Sequence, residues 1–359
     1  MGVSGKPLWL LVVVIAAVSG CAPSRQGPIQ AEDRPRNLSV PLWSPSGGRL
    51  LTVKGAGPPE QLVCIDVGRR RAVAVNATKG DYPVIESWAW APRRDELCYI
   101  SVDDRGGRAL RIADSDGRIL RAVELPKESS SRGLEWTREG RIVVVDARDY
   151  PDEPAGERDP RGLRPSSVRV FTDRLENELD YELPFTIYDV QLHPILAGCL
   201  VAVAGGRHGR NVISIDLATK RIRRITSFGD VPYGPGRWKL VGTDRVYFVE
   251  QDAGKFALDG LYVCDPSTEE AETAVKGAQL GGPVSRFDVS GGRAAIQTAR
   301  GIFLVELANG KVSVLPNTRN CHSPVFSPGG RRLVMVRDCG ELVVRDLHDG
   351  KDTLLYRAR

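Results

Sequence analysis

Short runs of contiguous apolar residues alternate with polar turns along this chain, and the alternation recurs at a long, regular interval. In each unit an apolar anchor is followed by a short polar turn, then Arg or a hydrophobic residue, then a β-branched run. The clearest copies are Trp43-Ser44-Pro45-Ser46-Gly47-Gly48-Arg49-Leu50 and Phe326-Ser327-Pro328-Gly329-Gly330-Arg331-Arg332-Leu333. The anchors are read at Trp43, Trp90, Trp136, Leu192, Leu240, Phe287 and Phe326, spaced 39 to 56 residues apart. Runs such as Ile142-Val143-Val144-Val145 and Val246-Tyr247-Phe248-Val249 are strongly β-forming.

Each unit predicts four strands, a to d. Strand a ends at the anchor, and strand b carries the β-branched run. Strand c often ends in Asp, as in Leu62-Val63-Cys64-Ile65-Asp66, and strand d follows a second turn such as His348-Asp349-Gly350-Lys351. One small sheet repeated at this period predicts an all-β chain folded as a β-propeller of seven four-stranded blades. Six or eight blades follow if a unit is miscounted. The blades are placed at about 37–83, 84–129, 130–186, 187–231, 232–281, 282–318 and 319–359. The ring closes either by packing of the first blade on the last or by an added strand near Asn37–Val40. Trp43, Trp90 and Trp136 are read as packing between blades.

Composition narrows the picture. With 38 Gly, 24 Pro and 2 Met, the chain suits many short strands and tight turns. Fifty basic and 45 acidic residues are interleaved, giving a net charge of +5 that excludes a concentrated nucleic-acid face. Lys6 followed by the 11-residue apolar run Leu8–Val18 has the form of a signal-peptide core. It falls short of the roughly 20 residues a helix needs to cross a bilayer.

The repeat resembles the TolB-type, WD-like propeller signature of an aromatic residue, Ser-Pro-Asp-Gly, a basic residue and an apolar strand. The match spans about residues 37–359 by period and is close in the first and last units. Ser46, Arg93 and Gly329 occupy the place of the signature Asp. The resemblance implies the fold and leaves function open. Val18-Ser19-Gly20-Cys21 resembles the lipobox of bacterial lipoproteins. That resemblance implies a signal peptide over 1–20, a diacylglyceryl group on Cys21 and a tether over 21–36. Ala22 after the Cys then implies an envelope location, on the periplasmic side of the outer membrane in a Gram-negative cell.

The a–b and c–d turns share one rim of a propeller, and the b–c and d–a loops share the other. The second set varies in length and charge, so the binding rim is expected there. Its candidate residues are Asp103, Arg105, Arg108, Arg207, His208, Arg210, Tyr233 and Asp252. The insert beginning Asp149-Tyr150-Pro151 is expected to be a solvated or partner-contacting loop and not a metal site. His193, His208, His322 and His348 fall on different turns and strands, which predicts no His-cluster metal centre. No Gly-x-Ser-x-Gly elbow is present. Cys64, Cys98, Cys199 and Cys264 are expected to be buried thiols, and Cys321 with Cys339 is a possible disulfide.

These readings predict no cofactor and no catalytic set. They point to a monomeric, membrane-tethered module that binds a protein partner or envelope polymer. The alternative is a carbohydrate-active or other hydrolytic propeller with a carboxylate pair over the central channel.

Overall fold

The computed structural model describes residues 38–55, 60–75, 84–148, 165–193, 196–206, 209–226, 235–242, 245–250, 260–264, 271–338 and 340–358. The signal peptide, Cys21, the tether and the insert after Arg148 lie outside those residues.

The described residues form seven antiparallel four-stranded sheets, each built from four consecutive strands. Blade 1 holds β1 (Leu42–Trp43), β2 (Arg49–Lys54), β3 (Gln61–Asp66) and β4 (Arg71–Ala74). Blade 2 holds β5 (Val84–Trp90), β6 (Glu96–Val102), β7 (Arg108–Asp114) and β8 (Ile119–Leu125). Blade 3 holds β9 (Ser129–Trp136), β10 (Ile142–Arg148), β11 (Ser166–Phe171) and β12 (Asn177–Leu183). Blade 4 holds β13 (Thr186–Leu192), β14 (Cys199–Gly206), β15 (Gly209–Asp216) and β16 (Ile222–Arg224). Blade 5 holds β17 (Pro235–Val241), β18 (Arg245–Glu250), β19 (Gly260–Cys264) and β20 (Ala271–Lys276). Blade 6 holds β21 (Arg286–Ser290), β22 (Arg293–Thr298), β23 (Gly301–Glu306) and β24 (Lys311–Val314). Blade 7 holds β25 (Cys321–Phe326), β26 (Arg332–Arg337), β27 (Glu341–Asp346) and β28 (Asp352–Arg357). This is the seven-bladed propeller that the repeat predicts.

The continuous apolar runs have a direct cause. Successive side chains of a strand point to opposite faces, and each face of an inner strand meets a different neighbouring blade. Leu97 and Tyr99 of β6 pack with Leu51, Val53 and Leu62 of blade 1. Cys98 and Ile100 of the same strand pack with Trp136, Ile142 and Val144 of blade 3. Among the described residues the core is therefore seven inter-blade clusters, one at each seam. Outer strands face water on one side, as the alternating exposure along β8 shows.

Among the described residues, the seam between blades 7 and 1 closes by side-chain packing and hydrogen bonds, with no strand shared between the two sheets. Trp43, Leu50 and Ile65 meet Val334, Val336 and Leu342 there. The Trp43 indole N–H donates to the Val325 carbonyl at 3.2 Å. Leu38 forms one bridge to Lys54 and thereby extends strand a of blade 1.

Register corrects one anchor. The anchor pairs with the first buried residue of strand b: Trp43 with Leu50, Trp136 with Ile142, Phe326 with Leu333. In blade 6 Val289 pairs with Ala294, so Val289 is the anchor and Phe287 lies two residues earlier. The larger ring drew the assignment. The a–b turn there is only Gly291-Gly292, and this shortening shifts the anchor toward it.

Candidate functional site

Of the residues expected to bind, Asp103 and Arg105 are described on the b–c and d–a rim. Asp103 is exposed, and its Oδ1 accepts the N–H groups of Arg105 at 2.9 Å and Gly107 at 2.6 Å. The carboxylate thus closes its own loop, with Arg105 exposed beside it. Arg108 is not a rim residue: it is only 3% exposed. Its Nη2 donates to Glu86 at 2.7 Å and to Asp146 at 2.9 Å, and its Nη1 donates to Ser129 at 2.7 Å. Asp146 also pairs with Arg169 at 2.7 Å. Burial lowers the Arg108 pKa, but the bonds and charges of Asp146 and then Glu86 outweigh it, and the net shift is upward. Arg108 is therefore a bolt between blades 2 and 3. Arg207, His208, Tyr233, Asp252 and the side chain of Arg210 lie outside the described residues.

Cys321 is a buried free thiol. Burial raises its pKa, and a hydrogen bond from Arg337 acts against that rise. Cys339, its expected partner, lies outside the described residues. His193 is buried in the a–b turn of blade 4, where its Nδ1 accepts the Leu196 N–H at 2.9 Å. His322 is half-buried in β25, with its pKa lowered by burial and then by Arg286. Among the described residues no group of three or more His, Cys, Asp or Glu is placed to hold a metal ion.

A polar stretch lies along the inner strands. The residue before each register-defined anchor is Leu42, Ala89, Glu135, Gln191, Lys239, Asp288 or Val325. Blades 3 to 6 thus carry four consecutive polar groups at one level. The Gln191 amide donates to the Trp238 carbonyl at 3.0 Å and accepts the Leu240 N–H at 3.3 Å. Asp288 pairs with Lys239 and accepts the Phe326 N–H at 2.7 Å. Glu135 has no hydrogen-bond partner among the described residues. Its half-buried carboxyl is pushed up to about 8, first by desolvation and then by the charge of Asp189. Asp189 is held by the Trp238 indole N–H at 3.0 Å and the Val190 N–H at 2.9 Å.

Two hollows open on the opposite rim, beside the a–b turns of blades 2 to 4. One of about 440 Å³ lies between blades 2 and 3 and reaches Arg94, Arg141 and Asp173. The other, of about 460 Å³, runs past Trp90 and Pro45 to His193 and Leu196. They share Pro92, Arg93, Trp136, Arg138 and Glu139. Arg94 pairs with Asp173 at 3.2 Å, and Arg141 with Glu178 at 3.0 Å. Arg93 and Arg138 are exposed and form no ion pair among the described residues. Sequence reasoning passed over this face because its turns are short and similar. The available signal was the change at the turn itself: Arg93 replaces Ser46 of blade 1, and Arg138 replaces Pro45.

No family model and no curated protein sequence matches the chain. Solved structures do match it in fold. A prolyl endopeptidase superposes with a TM-score of 0.61 at 14% identity, over 90% of this chain and 50% of that one. The chain thus spans half the length of that enzyme. An oligogalacturonate lyase from Vibrio parahaemolyticus gives a TM-score of 0.61 at 12% identity, covering 86% of this chain and 89% of that one. The β-propeller domain of the Trilobed protease from Pyrococcus furiosus, described as having an open velcro topology, gives 0.60 at 13% identity, with coverages of 90% and 96%. At these identities the shared property is the fold: the chain is a seven-bladed β-propeller.

Proposed function

We propose that the chain is a binding module held at the cell envelope by a lipid on Cys21. The ring presents a rigid face to a protein partner, and the observation that carries this reading is the pair of hollows beside Arg93 and Arg138, which form no ion pair among the described residues. A rigid scaffold with a concave, partly apolar surface and a few convergent polar groups suits recognition. In vivo photo-crosslinking of the full chain, followed by mass spectrometry, should identify a recurrent envelope protein. No recurrent adduct from either rim would count against the module. Labelling with a clickable palmitate analogue should mark the wild type and not Cys21→Ser; equal labelling would remove the anchor.

A second reading has its own support. Glu135, neutral near pH 7, lies within the electrostatic reach of Asp189. A carboxylic acid held protonated by burial beside a second carboxyl group is the pairing of general-acid hydrolysis. The solved peptidases and lyase with this fold keep that class in view. Activity on labelled peptides and acidic oligosaccharides, lost in Glu135→Gln, would establish it; full activity in that variant would dismiss Glu135 as the acid.

A further inference from the structure

We infer that the a–b face of blades 2 to 4 is a docking groove for an extended acidic polypeptide segment bearing an aliphatic side chain. This names the partner chemistry of the binding module and rests on that reading. Three observations favour it. The hollows adjoin at Pro92, Arg93, Trp136, Arg138 and Glu139, and together their linings extend from Asp173 and Glu178 of blade 3 to Leu196 and Ala197 of blade 4. An elongated occupant suits such an extent better than a compact one.

Charge supplies the second observation. Four Arg residues border the groove, and two are already neutralised by Asp173 and Glu178. Arg93 and Arg138 remain, opposed by the single carboxylate of Glu139 among the lining residues without an ion pair. An occupant with carboxylates on either side of the shared section would complement them. Guanidinium forks favour carboxylates through paired hydrogen bonds.

The inner end provides the third. Pro45, Leu192, Leu196 and Ala197 line it, and Leu196 is 55% exposed. That surface is aliphatic. Trp90 and Trp136 are only 6% and 4% exposed, so neither offers an open aromatic face for a sugar ring to stack on. An apolar side chain fits there better than a saccharide.

The test uses the full chain and a fluorescein-labelled peptide alternating glutamate and leucine, read by anisotropy. The peptide should bind, and Arg93→Glu with Arg138→Glu should weaken it by at least about tenfold. Arg224→Glu on the exposed outer strand of blade 4 should leave affinity within about twofold. Both Arg positions are exposed, and circular dichroism checks that the double variant folds. An alternating lysine–leucine peptide should not compete. Failure of the acidic peptide to bind, or binding insensitive to the double reversal, overturns the groove. So does preferential binding of an acidic oligosaccharide or of anionic phosphatidylglycerol vesicles at these residues. If photo-crosslinking to an envelope protein survives the double reversal, the binding module stands and the groove assignment falls.

Discussion

The division of labour among arginines is set by what surrounds each one. Arg108 and Arg94 both belong to ion pairs, yet Arg108 has 2% of its side chain exposed and Arg94 has 57%. Removing a buried partner strands the charges it satisfied, whereas a surface pair exchanges readily with water. Arg108→Met should therefore cost about 3 kcal/mol. Arg94→Met should cost under about 1 kcal/mol. Urea unfolding of the two variants checks the contrast, and equal losses would refute it. Glu135 gives a prediction in pH. Its folded pKa of about 8 lies above the ordinary 4.5, so the folded state retains a proton that the unfolded chain releases. Its favourable contribution is complete below about pH 4.5 and declines as pH rises through about 8. Glu135→Gln should remove that part of the decline, making the variant-minus-wild-type stability difference grow from pH 5 to 8. A flat difference would show that the carboxyl titrates normally. The position of Arg108 at a loop–strand junction was legible in the sequence, but its burial was not. Glu86 lies on strand a of the same blade and Asp146 on strand b of the next, and only the docking of blades brings them to one guanidinium.

Turns show which sequence signals carry structure. Ser44 and Ser327 occupy matching places, and each hydroxyl accepts a strand-b N–H, from Arg49 at 3.0 Å and Arg332 at 3.1 Å. Blade 3 keeps the device with Thr137, whose hydroxyl accepts the Arg141 N–H at 3.1 Å, although its Ser-Pro has gone. The chemistry of the turn outlasts its letters, which is why the period remained readable through the degenerate middle units. Two glycines separate turn geometry from blade contact. Gly117 and Gly350 lie in c–d turns with φ of +86° and +71°. A Cβ at Gly350 meets nothing within 4 Å, while one at Gly117 would sit 2.7 Å from the Ala74 carbonyl of blade 1. Gly350→Ala should cost about 1 kcal/mol from φ alone. Gly117→Ala adds displacement of a neighbouring blade and should cost at least about 2 kcal/mol more. Thermal unfolding tests the pair, and equal losses would mean that the seam yields freely. The proposed binding face was less legible, because the sequence advertises loop variability, whereas the a–b hollows arise where similar turns of neighbouring blades converge.

At the scale of the ring, six seams join blades that are consecutive along the chain, and the seventh joins the first blade to the last. Among the described residues no strand is shared across that junction. Its contacts repeat those used elsewhere. The Trp43 indole donates to Val325 of blade 7, just as the Trp90 indole donates to Leu42 of blade 1, both at 3.2 Å. Arg332 lies 5.1 Å from the Trp43 ring centroid and donates to the Gly47 carbonyl at 2.8 Å. Arg293 likewise lies over Phe326, at 5.8 Å, and donates to Gly330 at 2.6 Å. The closing seam therefore has ordinary chemistry but lacks the covalent link that holds its counterparts at high effective concentration. Trp43→Phe and Trp90→Phe each remove one indole hydrogen bond worth about 1 kcal/mol. Their consequences should diverge. Loss at Trp43 should let blades 1 and 7 part before global unfolding, raising native-state amide exchange in β2 and β26 by about fivefold. Loss at Trp90 should leave exchange near its own seam within about twofold, because blades 1 and 2 cannot diffuse apart. Hydrogen-exchange mass spectrometry at low denaturant distinguishes these outcomes. Matching increases at both seams would mean that chain connectivity adds nothing to closure, and that packing alone holds every blade in place.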